Sequence, residues 1–142
     1  MIPKFRAWDK RGKEMWKVAT LHIEDEYADL FKTNIYENPF NDPWAKFEDL
    51  ILMQSTGLKD KNGVEIYVGD IVRNDKGEIG RVVYLKQEAG FVVVLPKSDY
   101  RLGHRNTGEP YDVASGHEVI GNVWEDGDLL DDNKETECNR AY

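Results

Sequence analysis

Gly57-Leu58-Lys59-Asp60-Lys61-Asn62-Gly63-Val64-Glu65-Ile66-Tyr67-Val68-Gly69-Asp70-Ile71-Val72 crowds turn formers and short apolar runs into sixteen residues. Asn62-Gly63 supplies a dipeptide that accepts positive φ at little cost, so a tight reversal is expected there. Val64 to Tyr67 and Asp70 to Arg73 then read as short strands, the second introduced by Gly69-Asp70 and closed by Asn74-Asp75-Lys76-Gly77. Gly57, Gly63 and Gly69 permit tight backbone turns. Asp60 and Asp70 have side chains that accept hydrogen bonds from nearby amides and hold such turns in place.

Outward from this block the strand signal continues. Glu78 to Lys86 and Phe91 to Leu95 form a further pair around Gln87-Glu88-Ala89-Gly90, and the β-branched Ile79, Val82, Val83, Val92, Val93 and Val94 suit strands better than helices. Pro96 ends the meander, and Lys97 to Gly116 reads as a long polar loop. His117 to Trp124 returns to strand character as the last strand. Short strands joined by tight turns at this density indicate a small antiparallel barrel.

Toward the N-terminus, Lys4 to Asp9 and Glu14 to Val18 flank Lys10-Arg11-Gly12-Lys13 and predict a β-hairpin. Ile23, Tyr27, Leu30 and Phe31 fall at helical spacing, which predicts a short helix. Asn38-Pro39 and Asp42-Pro43 then break all periodicity and leave an irregular, aromatic-bearing loop. Phe47 and Leu50 to Met53 make an apolar run of buried-strand length that ends at Ser55-Thr56-Gly57. The expected fold is mainly β: an N-terminal hairpin with a short helical or irregular insert over residues 1–53, a small barrel over 54–125, and an acidic tail over 126–142.

Lys4-Phe5-Arg6-Ala7-Trp8-Asp9, the block Thr56 to Gly63, Glu65 to Val72, and Val119-Ile120-Gly121-Asn122-Val123-Trp124-Glu125 together resemble the YopX family of phage and prophage proteins in order and spacing across most of the chain. Ser55 stands where an aromatic is common in that family, and Val68 where glutamate is common; neither disturbs the turn or the strand. The resemblance implies an SH3-like barrel in the C-terminal half, encoded by a phage or an integrated prophage of a Gram-positive bacterium. It implies no reaction and brings no catalytic residues to carry over, and it leads us to expect homo-oligomers.

The net charge of -8 argues against a protein that coats nucleic acid or docks on anionic lipid. Its distribution is uneven. Residues 124–142 account for about -5 of it, whereas 57–86 stand at +1. The acidic end reads as a solvated tail, because Asp126, Asp128, Asp131 and Asp132 lack the alternating ligands and closing glutamate of a calcium loop. No run approaches a membrane span, and Met-Ile-Pro-Lys-Phe-Arg carries no apolar leader, so the cytoplasm of a bacterial host is the expected location. Cys138 is the one cysteine, which excludes an intrachain disulfide.

Catalytic signatures are missing. His22, His104 and His117 have no i, i+4 partner, no serine sits in a nucleophile elbow, and Gly77, Gly80 and Gly90 do not build a phosphate loop. A non-enzyme without cofactor or metal is therefore expected, acting through protein contacts with a second copy or with a phage or host protein. Tyr36, Phe40, Trp44 and Phe47 around the proline-broken loop are the candidate anchors, since aromatics bury much area at low entropy cost. The alternative rests on Val68 to Val83, which is similar to the KOW pattern of ribosomal and transcription-factor barrels. Arg73, Lys76, Arg81 and Lys86 would then meet phosphates, although Asp70, Asp75 and Glu78 cancel much of that charge.

Overall fold

The computed structural model describes residues 3–32, 43–86, 90–95, 100–102 and 116–130. The chain divides into two compact units, Met1–Ser55 and Thr56–Tyr142. Both are built from antiparallel strands.

In the first unit, β1 (Phe5–Asp9) and β2 (Glu14–His22) form the N-terminal hairpin, with Arg6 opposite Lys17 and Asp9 opposite Glu14. Asp9 shapes the turn: its carbonyl accepts from Lys13 N–H (2.8 Å) and its Oδ1 from Arg11 N–H (3.0 Å). The helix expected from Ile23 to Phe31 does not form. The chain turns at residues 23–26, with Glu26 at φ 58, and runs back as β3 (Tyr27–Phe31) along β2. The physical reason is a period of two hidden by a small residue: Ala28 and Leu30 are buried, while Tyr27, Asp29 and Phe31 face the other side. After Pro43, β4 (Trp44–Lys46) pairs with β3, and a 3-10 turn over Phe47–Asp49 leads into β5 (Leu50–Lys59). The first half of β5 lies along β1, from Leu50 opposite Asp9 to Gln54 opposite Phe5. Ala7, Ala28, Leu30 and Leu50 form the core, with Trp16, Val18, Leu21 and Phe47 packed against it.

β5 does not stop at Ser55-Thr56-Gly57 as its sequence suggests. Gly57 takes φ 81 within the strand, and the Thr56 hydroxyl donates to Ile66 C=O (2.8 Å) while accepting from Leu58 N–H (3.1 Å). A glycine carries the strand through a conformation that residues with a side chain rarely adopt. Beyond it come β6 (Glu65–Tyr67), β7 (Asp70–Arg73), β8 (Ile79–Leu85) and β9 (Gly90–Leu95). β10 (Tyr100–Leu102) lies inside the stretch read as a polar loop and pairs with β9. β11 (Glu118–Asn122) returns against β7, giving the order β10-β9-β8-β7-β11.

Ile66, Val72, Val82, Val93 and Leu95 make the core of this unit. Ile71, Val92 and Val94, which alternate with them, are buried as well, so β7 and β9 bury residues of both faces, while Arg81 of β8 stays exposed. That explains the unbroken valine run, since a strand wet on one side would alternate with polar residues. Gly80 sits where β8 lies close against β9. A Cβ built there would lie 2.7 Å from Val93 Cγ1, 2.7 Å from Val94 O and 3.0 Å from Leu95 Cδ2. Gly80→Val should lower stability by about 1–3 kcal/mol through overpacking. Gly116→Ala, with open space around it, should stay within about 0.5 kcal/mol. Urea unfolding of the two variants checks the contrast.

Candidate functional site

The polar residues of the Gly57 to Val72 block converge on the backbone. Asp60 is only 5% exposed. Its Oδ1 accepts from Asn62 N–H (2.8 Å) and Val64 N–H (2.9 Å), and its Oδ2 accepts from Val119 N–H (2.8 Å). Gly63 at φ 84 completes the turn by donating to Asp60 C=O (3.0 Å). Asp70, also buried, accepts from Tyr67 N–H (2.8 Å), and Gly69 at φ 92 donates to Val82 C=O (2.9 Å). Two further bonds reach the closing strand: Lys61 N–H to His117 C=O (3.0 Å) and Val123 N–H to Gly69 C=O (2.8 Å).

The segment after β11 is fixed in the same way. Asn122 Oδ1 accepts from Trp124 N–H (3.0 Å) and Glu125 N–H (2.9 Å), while Asp126 Oδ2 accepts from Asn122 N–H (3.1 Å). Asn74 does likewise for the β7–β8 turn, accepting from Lys76 N–H (3.0 Å) and Glu78 N–H (2.9 Å). The reading of the sequence gave these asparagines no such role, although asparagine near a glycine is the signal for it.

The four basic candidates do not gather into one stripe. Arg73 and Arg81 lie diagonally on one face of the β7–β8 pair, but the Arg73 guanidinium donates to Glu118 Oε2 (3.2 Å). Lys76 sits in the turn between those strands, and exposed Lys86 lies just past the other end of β8. Nearby, Lys61 donates to Asp75 (3.1 Å).

Of the aromatic candidates, Tyr36 and Phe40 lie outside the described residues. Phe47 packs on its own core, whereas Trp44 on β4 is 60% exposed. Trp44 meets Tyr27 edge to face (5.7 Å, 73°), and Tyr27 stacks on His22 (4.1 Å, 11°). His22 Nε2 in turn lies 2.8 Å from Asp29 Oδ2. This cluster occupies the outer face of the β2-β3-β4 edge, with Ile23, 69% exposed, in the adjoining turn. The His–Asp pair orients an imidazole, but no serine, cysteine or lysine contact completes a catalytic set among the described residues, where no three metal-ligating side chains converge either. A groove of about 590 Å³ runs alongside, lined by Asp9, Arg11, Trp44, Ala45, Lys46, Glu48 and Asp49.

The family model described as YopX protein matches residues 4–131. The chain belongs to the YopX family. It is similar to the crystal structure of protein EF1440 from Enterococcus faecalis, with 29% identity, a TM-score of 0.59, and coverage of 92% of this chain and 99% of that one. Protein yopX from Bacillus subtilis is similar at 20% identity and a TM-score of 0.48, over 89% of this chain and 97% of that one. No curated protein matches. The quoted family blocks, from Thr56 onward, are thus segments bonded to each other through Asp60 and Gly69. Among the described residues, no helix is long and apolar enough to cross a membrane.

Burial opposes ionisation of Asp60, but its three amide hydrogen bonds, joined by the Lys61 ammonium, outweigh that and hold its carboxyl below the usual carboxylate range. A lowered folded value stabilises the fold in full above the unfolded carboxylate's pKa, and the contribution is lost as pH falls through the folded one. Asp60→Asn should cost about 3 kcal/mol at neutral pH, because one amide oxygen cannot serve donors on both sides. The gap to the parent should narrow in urea unfolding as pH falls below the usual carboxylate range. A constant gap would refute the assignment.

Proposed function

We propose that this YopX-family chain is a non-enzymatic accessory protein of a phage or prophage that works through protein–protein contacts and self-association. The observation that carries this reading is the exposed aromatic cluster on the β3–β4 edge. Trp44 stands 60% exposed, braced by Tyr27, with exposed Ile23 nearby. Such a surface loses water favourably against a partner, and an aromatic already held in place surrenders little entropy on binding. Its location in the cytoplasm of the host belongs to the same proposal.

Chemistry elsewhere supports the choice by elimination. The buried carboxylates of the second unit are engaged with backbone amides, which leaves them without a reactive role. The nucleic-acid reading through Arg73, Lys76, Arg81 and Lys86 has less support, because Arg73 is paired with Glu118 and the remaining cations are dispersed along β8 and its flanking turns. Light scattering at tens of micromolar should give a mass above that of the monomer, and Trp44→Ala should reduce it. In a mobility assay at low salt, oligonucleotides should not shift; a salt-sensitive shift lost on replacing Arg81 and Lys76 by alanine would favour the alternative.

A further inference from the structure

Among the described residues, β4 is the outermost strand of its sheet, and its bonds to β3 show which of its backbone groups turn the other way. Leu30 N–H donates to Pro43 C=O (2.9 Å) and Phe47 N–H donates to Glu26 C=O (2.8 Å), with Ala45 opposite Ala28 midway between them. In an antiparallel ladder, residues that exchange backbone hydrogen bonds alternate with residues that do not. Pro43, Ala45 and Phe47 therefore turn their backbone groups toward β3. Trp44 and Lys46 turn theirs to the open edge, and both side chains are exposed.

We propose that a second copy of this chain adds its own β4 to this edge, antiparallel about a two-fold axis at Ala45, so that Trp44 of each protomer stands opposite the partner's Lys46. The inference rests on the self-association reading and names its contact. The edge complements itself: Trp-Ala-Lys read antiparallel is Lys-Ala-Trp, which brings an ammonium beside an indole twice. Opposed residues of an antiparallel pair lie on the same face, within reach of a cation–π contact. This unit already uses that pairing, with Lys17 over Phe31 across β2 and β3 (5.9 Å) and Lys32 over Trp16 (4.2 Å).

The register is determined by what flanks the strand. Pro43 has no N–H, and at Phe47 the chain leaves the strand for a 3-10 turn, so the window is Trp44 to Lys46. Centring on Ala45 yields two hydrogen-bonded pairs, Trp44 with the partner's Lys46 and the reverse. Centring on Lys46 would oppose two lysines, which is unfavourable. Three residues of strand bury much less than a standard interface of roughly 1,600 Å², so the dimer is a reversible one, forming at micromolar concentrations.

The two-fold puts Ala45 opposite the partner's Ala45 as a non-hydrogen-bonded pair, at a Cα separation of about 4.5 Å, within disulfide reach. The test is Ala45→Cys in a Cys138→Ser background, oxidised mildly and run on a non-reducing gel, alongside light scattering of the parent. A covalent dimer is expected. Lys46→Glu added to that variant should cut its yield several-fold, and the double exchange Trp44→Lys with Lys46→Trp should restore it. Trp44 and Lys46 are exposed and Ala45 is half-buried, and circular dichroism verifies that the variants fold. An oligomer in light scattering with no cross-link at position 45, or a cross-link indifferent to Lys46→Glu, overturns this contact while leaving self-association standing. A monomer overturns both.

Discussion

The second unit depends on one carboxylate that serves two stretches of chain 59 residues apart. Asp60 Oδ1 closes the turn through Asn62 and Val64, and Oδ2 holds Val119 at the start of the returning strand. Bringing such distant segments together costs loop-closure entropy, which increases only slowly with length, so a few strong bonds at the junction can offset it. Charge-assisted bonds from amides to an ionised oxygen are roughly twice as strong as neutral ones. Lys61 to His117 and Val123 to Gly69 extend the same seam along β11. A buried aspartate is therefore required here for its geometry and lone pairs, with no reaction invoked.

That arrangement also explains which parts of the fold can be read without coordinates. The turns at Asn62-Gly63 and Gly69-Asp70 are local, so residue type alone announces them, and the valine-rich meander carries its own strand signal. The partner of Asp60 is not legible, because nothing in Gly57 to Val72 points to Val119. The region from Ile23 to Phe31 misleads for a different reason. Ala28 is small enough to pass for a neutral position, which removes the alternation, and the bulge between Val18 and Thr20 shifts the pairing of β2 with β3. What remains is the chance helical spacing of Ile23, Tyr27 and Leu30. Tyr100 to Leu102 escapes notice because a three-residue strand within a polar stretch has no period to detect.

The aromatic cluster was legible only in part. Trp44 is recognisable as an aromatic beside prolines, but its neighbours come from β2 and β3, and the sequence places Tyr27 in a supposed helix and leaves His22 isolated. Sheet register brings them together: His22 opposite Tyr27, and Asp29 opposite Trp44. Cross-strand neighbours on one face are the unit of sheet chemistry, and they are invisible until the pairing is known.

Polar residues in the two units accordingly do different things. From Thr56 onward, Asp60, Asp70, Asn74, Asn122 and Asp126 point their oxygens at backbone amides, and the family blocks found there account for the architecture. In the first unit, His22, Tyr27, Trp44 and Lys46 lie on the outer face, with the open backbone of β4 at its margin. A side chain that holds an orphan amide is not available to a ligand, whereas an exposed indole on a strand at the edge of the described sheet still offers its surface. The residues by which the family is recognised thus specify the fold. The contact proposed for a second copy of the chain lies instead in the half with the weaker sequence signal.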